Sequence, residues 1–87
     1  MFLDQLSPGH SAEITDIAWD QLSDDEGRRL RALGIYEGQR VAVRHRGVFF
    51  GRDPIALDIG RTTIAIRRMH ARLIGVAEAT SAEETGQ

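Results

Sequence analysis

Leu30-Arg31-Ala32-Leu33-Gly34-Ile35-Tyr36-Glu37-Gly38-Gln39-Arg40-Val41-Ala42-Val43 decides the architecture of this chain. It reads as the last turn of a helix, a glycine stop, a tight turn and then a strand. Upstream, Ser23 stands at the helix start with Glu26 three residues later, the spacing at which each side chain can satisfy the other residue's backbone N–H. Asp24 and Asp25 fall in the first turn, where the helix dipole favours negative charge. Arg28, Arg29 and Arg31 fall in the later turns, where it favours positive charge. Gly34 is placed for a left-handed cap and Gly38 for the turn into the strand. The spacing predicts a helix over residues 24–33, with Leu30 and Leu33 on its buried stripe. So short a helix must dock on a sheet to persist.

Downstream of Gln39 the pattern has period two. Val41 and Val43 point one way, and Arg40, Ala42 and Arg44 the other. Residues 47–54 read as a loop, because Gly47, Gly51 and Asp53-Pro54 are strong breakers around Val48-Phe49-Phe50. Ile55, Leu57 and Ile59 form the next inward set, with Ala56 and Asp58 outward. Gly60-Arg61 then predicts a hairpin into Ile64 and Ile66, with Ala65 and Arg67 outward. Residues 69–72 suit one helical turn, and residues 73–77 a closing strand. Upstream, Ala12 and Ile14 alternate with Glu13 and Thr15, and the change of phase at Ile17 and Trp19 marks a bulge or the strand's end. Phe2, Leu3 and Leu6 are placed to cover one end of the fold, and Trp19 and Tyr36 to act as partly buried supports. The expected fold class is therefore mainly β: a small barrel of about five strands with one short helix inserted after the first. Closure of the sheet would remove its exposed edges. Residues 1–77 are expected to form the domain, and residues 78–87, polar and acidic, a disordered tail.

The chain has 87 residues and no cysteine. That is one domain, near the lower size limit for a core without staples. Disulfides and thiolate metal sites are excluded, and a cytoplasmic location is expected. Residues 1–9 lack the basic and apolar regions of a signal peptide, and no stretch approaches eighteen apolar residues. The net charge of −2 hides a division along the chain. Residues 1–39 carry three arginines against eight acids, whereas residues 40–77 carry eight arginines against Asp53 and Asp58. Every basic side chain is arginine, whose planar fork suits carboxylates and phosphates.

These residues do not assemble into a familiar catalyst. No serine lies in a nucleophile-elbow context, and helix capping accounts for Asp24, Asp25 and Glu26. Gly47 and Gly51 lack the following lysine and serine or threonine of a phosphate-binding loop. His10, His45 and His70 are scattered, without the paired spacing a metal site draws on, so no metal ligand and no cofactor is assigned. An enzyme is not expected. The contact candidates are instead Phe49 and Phe50, apolar and flanked by glycines, together with an arginine patch: Arg40, Arg44, Arg46, Arg52, Arg61, Arg67 and Arg68. A solvated barrel exterior explains the arginines equally well. Small barrels also bind nucleic acid, but stacking platforms need aromatics interleaved with basic residues, and here only Phe49 and Phe50 lie among them. Anionic lipid headgroups are a third reading of the same charge.

The run from Leu30 to Arg40 resembles the FeoA proteins, whose pattern is an arginine-rich helix end, leucine-glycine-isoleucine or leucine, one or two residues, and glycine. Gly51-Arg52-Asp53-Pro54-Ile55 is similar to that family's glycine-aspartate-proline loop, and Ile64-Ala65-Ile66-Arg67-Arg68 to its penultimate strand. Ala71, Ile74 and Val76 fit its closing segment. The resemblance covers residues 3–76, in order and spacing. It implies an SH3-like barrel and a small cytoplasmic accessory of FeoB, a membrane ferrous iron transporter with a cytosolic GTP-binding domain. The chain would then be peripheral to the membrane through that partner, with weak self-association left open and no nucleic acid expected. Docking is expected through Phe49, Phe50, Arg44, Arg46, Arg52 and Arg67. At Met69-His70 the chain departs from the family pattern, which often has an acid before the alanine. The same fold forms the C-terminal domain of iron-dependent repressors of the DtxR type, whose DNA-binding helices find no room here. The alternative is a nucleic-acid-binding or iron-responsive regulatory module.

Overall fold

The computed structural model describes residues 1–50 and 53–78, with only the backbone described for residues 46–50. A 3-10 turn at Leu3–Gln5 leads into strand β1 (Ser11–Ile17), and a second at Trp19–Gln21 leads into helix α1 (Asp24–Ala32). There follow β2 (Arg40–Phe50), β3 (Asp53–Ile59), β4 (Thr62–Ile66), the one-turn helix α2 (Arg68–Ala71) and β5 (Ile74–Glu78). The strands form one antiparallel sheet in the order β4-β3-β2-β1-β5.

Helix α1 begins and ends as its sequence predicts. Glu26 N donates to Ser23 Oγ at 3.1 Å and Ser23 N to Glu26 Oε1 at 2.8 Å, a reciprocal cap. At the other end Gly34 takes a φ of +102°. There Ile35 N donates to Leu30 O at 2.9 Å and Gly34 N to Arg31 O at 3.0 Å. This pair of bonds satisfies carbonyls that the helix leaves over, and Ile35 is driven into the core as it forms. The stop therefore does two jobs, ending the helix and anchoring the approach to β2.

Strands β3 and β4 form the predicted hairpin, with Ile59 opposite Thr62 across Gly60-Arg61. The residues between β2 and β3 differ from expectation. Residues 47–54 were expected to form a loop, yet β2 runs on to Phe50 and pairs with Asp53 at the start of β3. Two irregularities let it do so, between Val43 and His45 and between Arg46 and Phe50. Bulges absorb extra residues without ending a strand, so the glycine at position 47 does not break it. The first bulge also explains why Arg44 and His45, adjacent in sequence, are both exposed. β1 carries the expected change of phase as a shift between Ile14 and Asp16 against β5. Opposite that shift, Gly75 lies so close to the Asp16 carboxylate that a Cβ there would overlap it.

The core fills the concave side of the sheet. Ile14, Val41, Val43, Ile55, Leu57, Ile64, Ile66, Ile74 and Val76 all turn inward, and Leu30 of α1 joins them. Ala56, expected outward, is nonetheless buried, since so short a side chain in an inner strand is screened by its neighbours. Leu3 and Leu6 close one end, as expected, but Phe2 does not and remains 48 % exposed. In a 3-10 turn, residues three apart share a face. Leu3 and Leu6 therefore go in together and Phe2 is left out. Tyr36, expected to be partly buried, is also exposed, its hydroxyl accepting from Gln39 Nε2 at 3.0 Å. Trp19 does serve as a partly buried support, its indole N–H on Glu37 and Arg31 stacked 4.1 Å above its ring.

The sheet curves as a barrel, and among the described residues no ladder joins β4 to β5 to close it by hydrogen bonds. Helix α2 makes that connection instead, with Ala71 fully buried. The β5 edge is partly covered by the N-terminus, where Val76 N donates to Met1 O at 2.8 Å. β5 also takes in Glu78, one residue beyond the expected domain boundary, and residues 79–87 of the expected tail lie outside the described residues. No helix among the described residues is long and apolar enough to cross a membrane.

Candidate functional site

Helix α1 lies against the corner where β4 passes into α2, and the meeting leaves a groove of about 370 Å³. Leu30, Leu33, Ala65 and Ile66 supply its apolar lining, and Arg29, Arg67, Met69, Glu26 and His70 its margin. Each element contributes for a local reason. The helical period brings Glu26, Arg29, Leu30 and Leu33 to one side of α1. Ile66 is the last inward residue of β4. The turn of α2 that follows leaves Met69 56 % exposed.

Glu26 and His70 tie the two sides together. His70 Nε2 lies 3.2 Å from Glu26 Oε2, with the imidazole largely covered. Glu26 thus serves the helix cap with one carboxylate oxygen and the neighbouring helix with the other. The Ser23 backbone N–H, and after it the His70 side chain, hold the Glu26 carboxyl below its usual range. It is therefore an ionised acceptor, and the His70 nitrogen facing it is the donor.

On the convex face, Asp58 of β3 organises a second polar cluster. Thr63 Oγ1 donates to Asp58 Oδ1 at 2.7 Å and Arg44 Nε to the same oxygen at 3.0 Å. These two donors, Thr63 first, lower the Asp58 carboxyl from its usual value. The cluster spans β2, β3 and β4 and so staples three strands on the solvent side.

The predicted contact residues are distributed unevenly over this surface. Arg44 sits on the convex face, paired with Asp58. Arg67 is exposed at the groove margin, directly before α2. Phe49, Phe50 and Arg46 belong to the distal part of β2, with side chains outside the description, and Arg52 lies outside the described residues altogether. Arg67 and Arg44 thus stand at different places, one at the groove margin and the other paired with Asp58. Leu30 and Leu33, read in the sequence as the buried stripe of α1, line the groove together with Ile66 of β4. Arg29, Met69 and the Glu26–His70 contact escaped the sequence reading. The departure at Met69-His70 was the one signal that marked the spot.

The histidines do not converge. His10 meets Glu78, His45 is exposed on β2, and His70 meets Glu26. Among the described residues no three histidine, aspartate or glutamate side chains gather as metal ligands would. What the site offers is recognition: an apolar floor bordered by arginines.

The FeoA domain family matches residues 1–78, the whole of the described fold. Among solved structures, FeoA from Chlorobium tepidum is 29 % identical, with a TM-score of 0.79 over 92 % of this chain and 71 % of its own. Iron(II) transport protein A from Clostridium thermocellum is 28 % identical, with a TM-score of 0.78; the match takes in 90 % of this chain but only 45 % of that one. FeoA from Stenotrophomonas maltophilia, complexed with zinc, is 29 % identical, with a TM-score of 0.70 over 88 % of this chain and 89 % of its own. It is described as a prokaryotic SH3 domain protein and a candidate activating factor for ferrous iron transport. The five-stranded fold seen here is accordingly SH3-like. No curated protein sequence matches the chain.

Proposed function

The chain belongs to the FeoA family, and on that premise we propose that it is a non-enzymatic, cytoplasmic accessory of ferrous iron uptake. It docks on the cytosolic part of a FeoB-type membrane transporter. The observation that carries this reading is the family match along residues 1–78, the whole of the described fold. The likeness to iron(II) transport protein A and to a candidate transport-activating factor supports the same role. The docking surface is the distal β2–β3 hairpin with Phe49 and Phe50, together with the arginines Arg44, Arg46, Arg52 and Arg67. Contiguous apolar side chains beside cationic ones are the usual composition of a protein contact.

Affinity purification of the tagged chain from its own detergent-solubilised cells tests the role. Recovery of a large polytopic membrane protein with a GTP-binding domain is the expected result. Recovery of nucleic acid without it overturns the reading in favour of a small-barrel nucleic-acid binder. Phe49→Ser with Phe50→Ser, in a chain still folded by circular dichroism, should weaken docking; unchanged affinity removes the hairpin from the surface. The arginine contribution should fade as salt rises, because charges more than about 8–10 Å apart are screened at physiological ionic strength.

A further inference from the structure

The groove between α1 and the β4–α2 corner has margins that its own molecule leaves unsatisfied. Leu30 and Ile66 are buried at its floor and Leu33 half-buried beside them. Arg29 borders it from α1, and Arg67 from the end of β4. Both are exposed, and neither guanidinium has an ion-pair or hydrogen-bond partner among the described residues. The one acid in the lining, Glu26, is already engaged by Ser23 and His70. Two arginines without carboxylates, on opposite banks of one apolar recess, complement a ligand that is apolar in the middle and anionic at its ends. Met69 adds an exposed, unbranched thioether, a side chain that adapts to whatever it covers.

We propose that this groove binds a short acidic–aliphatic peptide segment of a partner protein. One aliphatic side chain seats on Leu30, Leu33 and Ile66, and flanking carboxylates meet Arg29 and Arg67. A flat lipid surface would not reach the recessed floor, whereas a single peptide side chain does. The groove shares only Arg67 with the docking surface proposed above, and the inference holds whichever protein supplies the segment. Failure of transporter co-purification and failure of peptide binding are therefore read independently.

The test uses the full chain, labelled with nitrogen-15, and two blocked peptides, Ac-Glu-Leu-Leu-Glu-NH2 and its neutral counterpart Ac-Gln-Leu-Leu-Gln-NH2. The acidic peptide should give saturable amide shifts at Arg29, Leu30, Leu33, Ile66 and Met69, and the neutral one should bind at least threefold more weakly. Arg29→Glu with Arg67→Glu, both exposed and compatible with the fold, should abolish that preference. Absence of groove shifts at millimolar peptide overturns the proposal, as does equal affinity for the two peptides. Groove shifts that grow with protein concentration alone overturn it too, since they assign the recess to a second copy of the chain.

Discussion

Gly34 shows how much one backbone angle can decide. At φ +102° it lies where L side chains are strained, while the space around it is ordinary, with Ile59 Cγ2 3.5 Å from where a Cβ would sit. Gly34→Ala should therefore cost about 1–2 kcal/mol through the backbone rather than through crowding, read as a lower midpoint in urea denaturation. Glu26 and Asp58 make the residue-scale case for pH. Both carboxyls are depressed in the fold below their ordinary values, Glu26 first by the Ser23 backbone N–H and Asp58 first by the Thr63 hydroxyl. A depressed carboxyl contributes stability that is fully present above its unfolded value and is lost as pH falls through its folded value. Urea midpoints should accordingly fall from pH 6 to pH 3, and Asp58→Asn should make that fall shallower than in the parent chain. These partnerships divide sharply in legibility. Glu26 with Ser23 is local and could be read from three residues' separation. Glu26 with His70 spans 44 positions, and no local periodicity encodes which turn of a later helix will face it.

The elements follow the same division. α1 was readable because its start, its charges and its stop each carry a local signature. Ser23→Ala removes the acceptor for Glu26 N and should cost about 1 kcal/mol, seen again in the denaturation midpoint. Glu26→Gln keeps the shape but loses the charge, so it should also loosen α2. An amide-exchange measurement should then show faster exchange at His70, Ala71 and Arg72 than in Ser23→Ala. The hairpin strands β3 and β4 were readable from Ile55, Leu57 and Ile59 against Ile64 and Ile66. β2 was cut short in the reading because Gly47 looks like a terminator when judged alone. Strand pairing supplies hydrogen bonds that offset a weak position, and bulges take up the mismatch. The separation of β4 from β5 was equally hidden, since closure depends on curvature summed across the sheet and no residue reports that sum.

At the scale of the molecule, the inward residues of β2, β3 and β4 meet around Leu57. It is fully buried, faces Val43 on one side and Ile64 on the other in the strand register, and sits in the middle of a strand paired on both sides. Leu57→Ala deletes packing that nothing nearby can refill without moving the strands, a change that costs about 2–5 kcal/mol in buried cores. A domain of this size holds only about 0.05–0.15 kcal/mol per residue in total, so the loss takes a large share of the folded state. Leu33→Ala is the informative comparison. It removes the same atoms, but from a half-buried position at the groove, and should cost only about 1 kcal/mol, in proportion to the area withdrawn from water. Denaturation of both variants under one condition separates two descriptions of the molecule. A large loss at Leu57 and a small one at Leu33 mean that the sheet carries stability and leaves α1's outer edge free for recognition. Equal losses would mean that the groove is a structural seam, and that a partner filling it would act on folding itself.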